Sequence, residues 1–339
     1  MHPLSQVGNP LVVTNYVYGG GAAWHRNDSE MPNPKARTWD QFRGYATVTT
    51  LTGSGSDVEA PRTKSVATFL RGMDGDVLAN GSTRQVTVTD VHGGTIKDEN
   101  VLAGYIRDSA NYNGESGELL STTVSDPWMG PITATRSQSG GMPAITARAV
   151  NSLKVTDREK LANGWRTRER STTYDSTPFA RPLTVYDNGD LAHPEQLLCT
   201  SFEYATRPGG AATQLASHTL VLKGACGQPA NRDNTVSDTR AYFDGLPLGQ
   251  AGAKSEQTST EVLERYDANG QPVYRTTGRA SFDAYGRVVS TVDPTRTDAT
   301  HQTGAETKTA YSPATGQLPT QVTHTNPMGW QTVSTLEWS

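Results

Sequence analysis

The feature that most constrains this chain is a short phrase that returns along its C-terminal half. The phrase first appears clearly as Tyr266-Asp267-Ala268-Asn269-Gly270-Gln271-Pro272-Val273. It returns sixteen positions later as Phe282-Asp283-Ala284-Tyr285-Gly286-Arg287-Val288-Val289. A third copy, Tyr311-Ser312-Pro313-Ala314-Thr315-Gly316-Gln317-Leu318, carries one extra residue before its glycine. A repeat of this kind indicates one supersecondary unit used several times.

Each residue of the phrase has a role in a β-hairpin. The aromatic residue (Tyr266, Phe282 or Tyr311) ends one strand and buries its ring, and the aspartate of the first two copies (Asp267, Asp283) accepts hydrogen bonds from backbone amides two residues on. The glycine (Gly270, Gly286, Gly316) adopts a positive φ, which other residues resist, and the next apolar residue begins the return strand. Because one hairpin cannot bury its apolar face alone, the repeat predicts an extended sheet.

Looser copies extend the pattern in both directions. They begin at Tyr174-Asp175 and at Tyr186-Asp187-Asn188-Gly189, and Asn326 to Val333 keeps the turn without the aromatic–acid pair. We therefore divide the chain into a degenerate hairpin segment, residues 1–173, and a segment of hairpins that carry the Tyr-Asp (YD) phrase, residues 174–339, which continues directly from the first.

Short Thr- and Val-rich strand patterns separated by Gly, Asn, Asp and Pro run along the whole chain. They predict an all-β fold, an extended antiparallel sheet of successive hairpins with little helix, because no βαβ alternation is present. The patterns cover Leu11–Tyr18, Tyr45–Leu51, Thr63–Leu70, Arg84–Val91, Leu119–Val124, Arg166–Tyr174, Thr200–Tyr204, His218–Leu222, Glu261–Tyr266, Arg287–Val292, Lys308–Tyr311, Gln321–His324 and Thr332–Leu336. Helical turns are expected only at Glu99–Arg107 and Asp157–Leu161.

Charge and composition restrict the partners. The formal net charge is −4, and 25 aromatic residues (13 Tyr, 6 Trp, 6 Phe) argue against disorder. No basic stripe predicts nucleic-acid binding, and no run of about 18 apolar residues predicts membrane insertion. Met1-His2-Pro3-Leu4 lacks the features of a signal peptide, so we expect a soluble chain whose export signal, if it is exported, lies upstream.

The repeated Tyr-Asp-x-x-Gly-x-x-Val phrase resembles the YD repeats of the RHS family. Ala23–His25, Phe42–Tyr45 and Phe69–Asp76 resemble segments of large actinobacterial RHS proteins. The resemblance implies a secreted or cell-surface shell of hairpins around a toxic C-terminal segment, with the rest of the RHS polypeptide and its effector as partners. No RHS core signature occurs near Leu336–Ser339, and Val7–Pro10 resembles mid-chain sequence, so we expect a non-catalytic fragment.

Catalytic and cofactor sites are not predicted. Asp74-Gly75-Asp76 could offer a cation two carboxylates but is typical of a glycine-centred turn. His193-Pro194-Glu195 lacks zinc-hydrolase spacing, and Gly53–Ser56 is expected to be a loop rather than a serine-hydrolase elbow. The carboxylate pairs Asp40 with Glu59 and Asp126 with Glu118 leave a glycoside hydrolase or lyase as a minor alternative, because such pairs are recognised in space.

The six tryptophans support the main alternative, a carbohydrate-binding β-module at the cell surface. Exposed aromatic rings stack on sugars, whereas most tryptophans serve a core. We expect four or five of the six to be buried and one or two to be exposed; they are Trp24, Trp39, Trp128, Trp165, Trp330 and Trp338.

Cys199 and Cys226 are too few for a four-cysteine zinc site, and their spacing permits either a disulfide or two separate thiols. Antiparallel pairing of Thr200–Tyr204 with His218–Leu222 would bring both cysteines to one end. The resemblance to an exported shell adds an oxidising environment, in which a bridge persists. We therefore predict a disulfide; a longer excursion at Arg207–Ala212 is the arrangement that would separate the thiols.

Overall fold

The computed structural model describes residues 13–53, 62–297 and 303–338, and within them the chain forms twenty-one strands and no α-helix. Two compact units divide the chain. The first comprises residues 1–180 and 187–196, and the second comprises residues 181–186 and 197–339. The predicted boundary between residues 173 and 174 stays a prediction.

The first unit contains eleven complete strands, and β12 (Pro182–Asp190) has residues in both units. The eleven are β1 Thr14–His25, β2 Gln41–Thr52, β3 Thr63–Phe69, β4 Thr87–Thr89, β5 Thr95–Lys97, β6 Ile106–Tyr112, β7 Leu119–Met129, β8 Ala134–Arg136, β9 Ile145–Ala147, β10 Val150–Leu161 and β11 Gly164–Tyr174. Antiparallel pairs join β1, β2, β3, β6, β7, β10 and β11 in that order. The hairpins β4–β5 and β8–β9 are insertions between paired strands.

The second unit contains nine strands. They are β13 Leu198–Arg207, β14 Ala211–Lys223, β15 Thr235–Phe243, β16 Gln257–Tyr266, β17 Pro272–Phe282, β18 Val288–Asp293, β19 Ala305–Ser312, β20 Gln321–Thr325 and β21 Gln331–Thr335. Each strand pairs antiparallel with its chain neighbour. The all-β, extended antiparallel hairpin fold is therefore confirmed, with the Tyr266 and Phe282 copies on adjacent hairpins.

The cores of the two units are small, because hairpin sheets rich in threonine bury little apolar surface. In the first unit Leu70, Val88 and Leu102 are buried together beneath the β4–β5 insertion. In the second unit Ala205, Phe243 and Ala251 form the corresponding cluster.

The two helical expectations were wrong. Glu99–Arg107 contains only a 3₁₀ turn at Asn100–Leu102 before β6 begins, and Asp157–Leu161 is the end of β10. The second segment is extended because β10 pairs with both β7 and β11, which satisfies its backbone on both sides. Two further 3₁₀ turns occur at Pro34–Ala36 and Pro194–Gln196.

Most observed strands extend beyond their predicted ends, as β7 and β14 do, and one predicted strand is much shorter. The pattern Arg84–Val91 becomes only the three-residue strand β4, because a turn begins at Asp90. Leu11 and Val12 lie outside the described residues, and β1 extends to His25. Among the residues described, no helix is long and apolar enough to cross a membrane.

Candidate functional site

The turn at Asp267 has the predicted hydrogen bonds. Its Oδ1 accepts the amide N–H of Asn269 and of Gln271, both at 2.8 Å. Its backbone N–H donates to the Gln271 carbonyl at 2.9 Å, and Gly270 closes the turn with a φ of +75°. Tyr266, the aromatic residue before it, is buried and pairs with Pro272 at the start of β17. One carboxylate thus fixes the change of direction between β16 and β17.

The turn at Asp283 repeats this geometry. Its Oδ1 accepts the N–H of Tyr285 at 2.8 Å and of Arg287 at 3.0 Å, and Gly286 has a φ of +77°. The Arg287 side chain adds an ion pair to Oδ2 at 2.7 Å. Desolvation acts to raise the pKa of Asp283, but the hydrogen bonds from Arg287 outweigh it and hold that pKa below its usual value. Phe282, half-buried, pairs with Val288.

Two further turns have the same pattern although their residues differ. Asn326 accepts the N–H of Met328 and of Trp330 on its Oδ1, both at 2.9 Å. Asp90 accepts the N–H of His92 at 2.9 Å and of Gly94 at 3.0 Å. Sequence reasoning missed the Asp90 turn because a threonine stands where the repeat has its aromatic residue; the Asp-x-x-Gly spacing was the available signal.

The remaining copies depart from the pattern. The third copy has Gly316 at a positive φ of +87°, but the extra residue makes a longer loop that is closed by the Thr320 N–H on the Ser312 carbonyl at 2.8 Å. Asp175 accepts the Thr177 N–H at 3.2 Å. Near Gly189, β12 continues to Asp190, whose Oδ1 accepts the Ala192 N–H at 3.0 Å.

Three tyrosines at strand ends share a role that the repeat alone did not reveal. Their hydroxyls donate to a backbone carbonyl within the first three residues of the preceding strand. Tyr311 reaches Val288 at 2.9 Å, and the other two pairs are Tyr174 with Ser152 and Tyr204 with Pro182, both at 2.8 Å. Each bond ties the end of one strand to the beginning of the strand before it.

An arginine adjoins two of these bonds. Arg287, directly before β18, lies 4.4 Å from the ring centroid of Tyr311. Arg181, directly before β12, lies at the same distance from the ring of Tyr204. A guanidinium over an aromatic face is attracted by the ring quadrupole. The strand start and the tyrosine are therefore held by two contacts at once.

In the structure, a disulfide joins Cys199 to Cys226, with their Cα atoms 5.2 Å apart. Strands β13 and β14 pair antiparallel, with Cys199 opposite Leu222, and the chain reverses tightly near Gly209 rather than making a longer excursion. The Cys226 N–H also donates to the Tyr186 hydroxyl at 3.0 Å.

Polar residues of the second unit form a chain across the four strands β13, β14, β15 and β17. His218 lies 2.8 Å from Asp238 through Nε2 and 3.6 Å from Glu203 through Nδ1. The hydrogen bond with Asp238 raises the pKa of His218, although burial opposes it. Burial acts to raise the pKa of Asp238, but its hydrogen bonds with His218 and Tyr274 outweigh it and lower that pKa. These residues form a polar network that links neighbouring strands.

The candidate carboxylates take part in structural contacts. Asp76 is buried and pairs with Arg84 at 3.1 Å, while Asp74 accepts the Val86 N–H at 2.8 Å. Asp126 pairs with Arg107 and Glu118 with Lys160.

The remaining candidates also form no site. Asp40 accepts from Asn27 at 3.2 Å, whereas Glu59 and residues 54–56 of the Gly53–Ser56 segment lie outside the described residues. His193 is exposed beside Glu195. Throughout the described ranges, no group of three metal-ligating side chains could hold a metal ion.

The expected burial of the tryptophans was wrong. Trp24, Trp165, Trp330 and Trp338 are exposed, and Trp39 and Trp128 are half-buried. Trp24 belongs to an aromatic patch on β1 and β2, defined by Tyr18, Trp24, Phe42 and Tyr45. Their ring centroids lie 4.7 to 5.9 Å apart in successive pairs.

The fold is similar to that of one chain in a solved structure of a toxin complex. The similar chain belongs to a structure of the Photorhabdus luminescens Tc holotoxin pore with a mutated TccC3, with a TM-score of 0.52 and 11% sequence identity. The match covers 96% of this chain but 21% of that one, so this chain spans about a fifth of its length. No family model and no curated protein sequence match this chain.

Proposed function

We propose that this chain is a non-catalytic structural segment of a secreted RHS/YD-type shell that encapsulates or presents a C-terminal toxin or effector. The observation that carries the proposal is the shared turn of Asp267, Asp283 and Asn326, in which the side-chain Oδ1 accepts the backbone N–H four residues on and consecutive antiparallel strands are joined. A wall built of repeated hairpins requires this kind of unit, and the fold similarity to a chain of a Tc holotoxin structure supports the same role.

The partners in this proposal are the rest of an RHS polypeptide and its effector, at the cell surface or outside the cell. The division into a degenerate segment, residues 1–173, and a YD-type segment, residues 174–339, belongs to the proposal as well. Nucleic acid is not among the partners, since the net charge of −4 offers little attraction to phosphate.

Protease protection of the full gene product tests the shell. If this chain is part of a shell around a cargo, the cargo of the intact polypeptide should resist protease and become sensitive after the shell is unfolded in urea. A matched variant with Gly270→Val and Gly286→Val, which opposes the positive φ of both turns, should expose the cargo earlier. Equal digestion of cargo in the intact polypeptide and as a free segment would overturn the proposal.

Catalytic assays test the proposal that the chain is not an enzyme. The purified chain should show no turnover of peptides, esters or glycans, because the named carboxylates are engaged in turns and ion pairs. Turnover that a single Asp or Glu substitution abolishes would show that the chain is an enzyme.

The aromatic patch supports a second candidate function, binding of glycans at the cell surface. Tyr18, Trp24 and Phe42 are each about half exposed, and aromatic faces of this kind stack on sugar rings. Titration with soluble cello- and chito-oligosaccharides should then quench tryptophan fluorescence in the wild type and less in Trp24→Ala. Trp338→Ala, at an exposed tryptophan that is not part of the patch, is the control; an equal effect of both variants would exclude the patch.

A further inference from the structure

A cleft of about 550 Å³ lies in the first unit, between the end of β1 and the insertion that contains β8 and β9. Three arginines line it: Arg26, Arg37 and Arg148. We call it the arginine cleft. Its volume is in the range of small-molecule sites, and none of its residues takes part in the repeat turns.

Arg37 lacks the anion that a buried guanidinium normally has. It is only 9% exposed, and among the described residues its guanidinium has one acceptor, the Met142 thioether sulfur, which is a weak acceptor. The Nε atoms of Arg26, Arg37 and Arg148 are buried without a hydrogen-bond partner. Within the described part of the chain, no carboxylate forms an ion pair with any of these three. A buried charge in this state is costly unless a ligand compensates it.

The carboxylates of the cleft are mostly bonded elsewhere. Asp76 pairs with Arg84 and accepts the Arg26 N–H at 3.0 Å, and Asp74 accepts the Val86 N–H. Asp28 accepts from the Gln41 side chain at 2.9 Å. Glu99 also lines the cleft, so four carboxylates stand against three arginines, and an anion there must be held by direct hydrogen bonds to a guanidinium rather than by an excess of positive charge.

We propose that the arginine cleft binds a small organic carboxylate. A guanidinium presents a planar fork of donors that matches a carboxylate, and the buried Arg37 has no carboxylate partner of its own among the described residues. Ile132, Met142 and Ile145 line the same cleft, and they give an apolar body a place to pack. An inorganic anion would leave that surface unused, so the geometry favours an organic acid.

Calorimetric titration of the full chain with 3-phenylpropionate tests the proposal. The neutral amide, 3-phenylpropanamide, and inorganic phosphate are the comparison ligands. The acid should bind more tightly than either. Arg37→Met should weaken its binding about tenfold, the loss expected for one charge-assisted hydrogen bond, and Glu99→Gln should strengthen it. Arg168→Met, an exposed arginine on β11 outside the cleft, should change nothing.

Because Arg37 is buried, its variant could unfold, and Arg148→Met then decides the matter at a half-buried position. Loss of binding in a variant that keeps the wild-type circular dichroism spectrum supports the cleft. Equal binding of the acid and its amide, tighter binding of phosphate, binding unchanged by both arginine variants, or no heat with any ligand would each overturn the proposal.

Discussion

Tyr274 donates a hydrogen bond to Asp238 at 2.7 Å across the intervening strand β16. The bond links β17 to β15, which do not pair with each other, and Asp238 in turn bonds to His218 on β14. Desolvation, with the hydrogen bond to Asp238, raises the pKa of the Tyr274 hydroxyl. Strands β14, β15 and β17 are thus connected through one carboxylate.

The first prediction concerns pH. The pKa of His218 is raised in the folded state, so its stabilising contribution is complete below the ordinary histidine value of 6.5 and is lost as pH rises through the folded-state pKa. Asp238 has a lowered pKa, so its contribution is present above 3.8 and is lost as pH falls below that. His218→Gln should therefore destabilise the protein most between these two values and less at alkaline pH.

Urea unfolding at about pH 5 and about pH 9 measures this difference. Glu203 and Arg240 also face His218, so both residues are left unchanged in every variant that is compared. His193→Gln, at an exposed position, is the control. A stability loss in His218→Gln that is the same at both pH values would contradict the assignment.

The second prediction concerns the turn carboxylate. Asp267→Ala removes an acceptor of two backbone amides and should lower the free energy of unfolding by about 1 to 2 kcal/mol. Asp267→Asn keeps the accepting oxygen, as Asn326 does at its own turn, and should cost less. Chemical denaturation of both variants checks the order; an asparagine variant as unstable as the alanine variant would show that charge matters more than geometry.

The third prediction concerns the tyrosine hydroxyl. Tyr311→Phe keeps the ring beneath Arg287 but loses the bond to the Val288 carbonyl, so the protein should lose about 1 kcal/mol. Tyr285→Phe, at an exposed ring, is the matched control and should have no effect. If thermal denaturation shows equal shifts for the two variants, the hydroxyl bond does not stabilise the sheet.

The fourth prediction concerns Cys199 and Cys226. Thiol titration of unfolded, unreduced protein should find no free thiol, whereas two would contradict the bridge. Reduction should destabilise the protein by about 3 to 4 kcal/mol, because the closed loop spans 27 positions. A double variant with both cysteines replaced by serine should be insensitive to the reductant.

Local signals in the sequence account for most of the fold. Alternating Thr and Val with Asp-x-x-Gly turns placed β16, β17 and β18 because a hairpin is specified by neighbouring residues. The insertion around Asp90 was missed because Thr89 replaces the aromatic residue. Contacts between residues far apart in the sequence could not be predicted from it. The bond of Tyr274 to Asp238 depends on the register of β16, and the arginine cleft combines residues from Arg26 to Arg148.

The neighbour-to-neighbour pairing of β13 to β21 has a consequence for how the second unit forms. Every pairing there joins strands that are adjacent in sequence, so each new strand closes only a short loop. Contacts of low sequence separation allow fast folding, and the unit can grow one strand at a time. A substitution in one turn, such as Gly286→Val, should therefore slow the addition of β18 while leaving the order of the preceding strands intact.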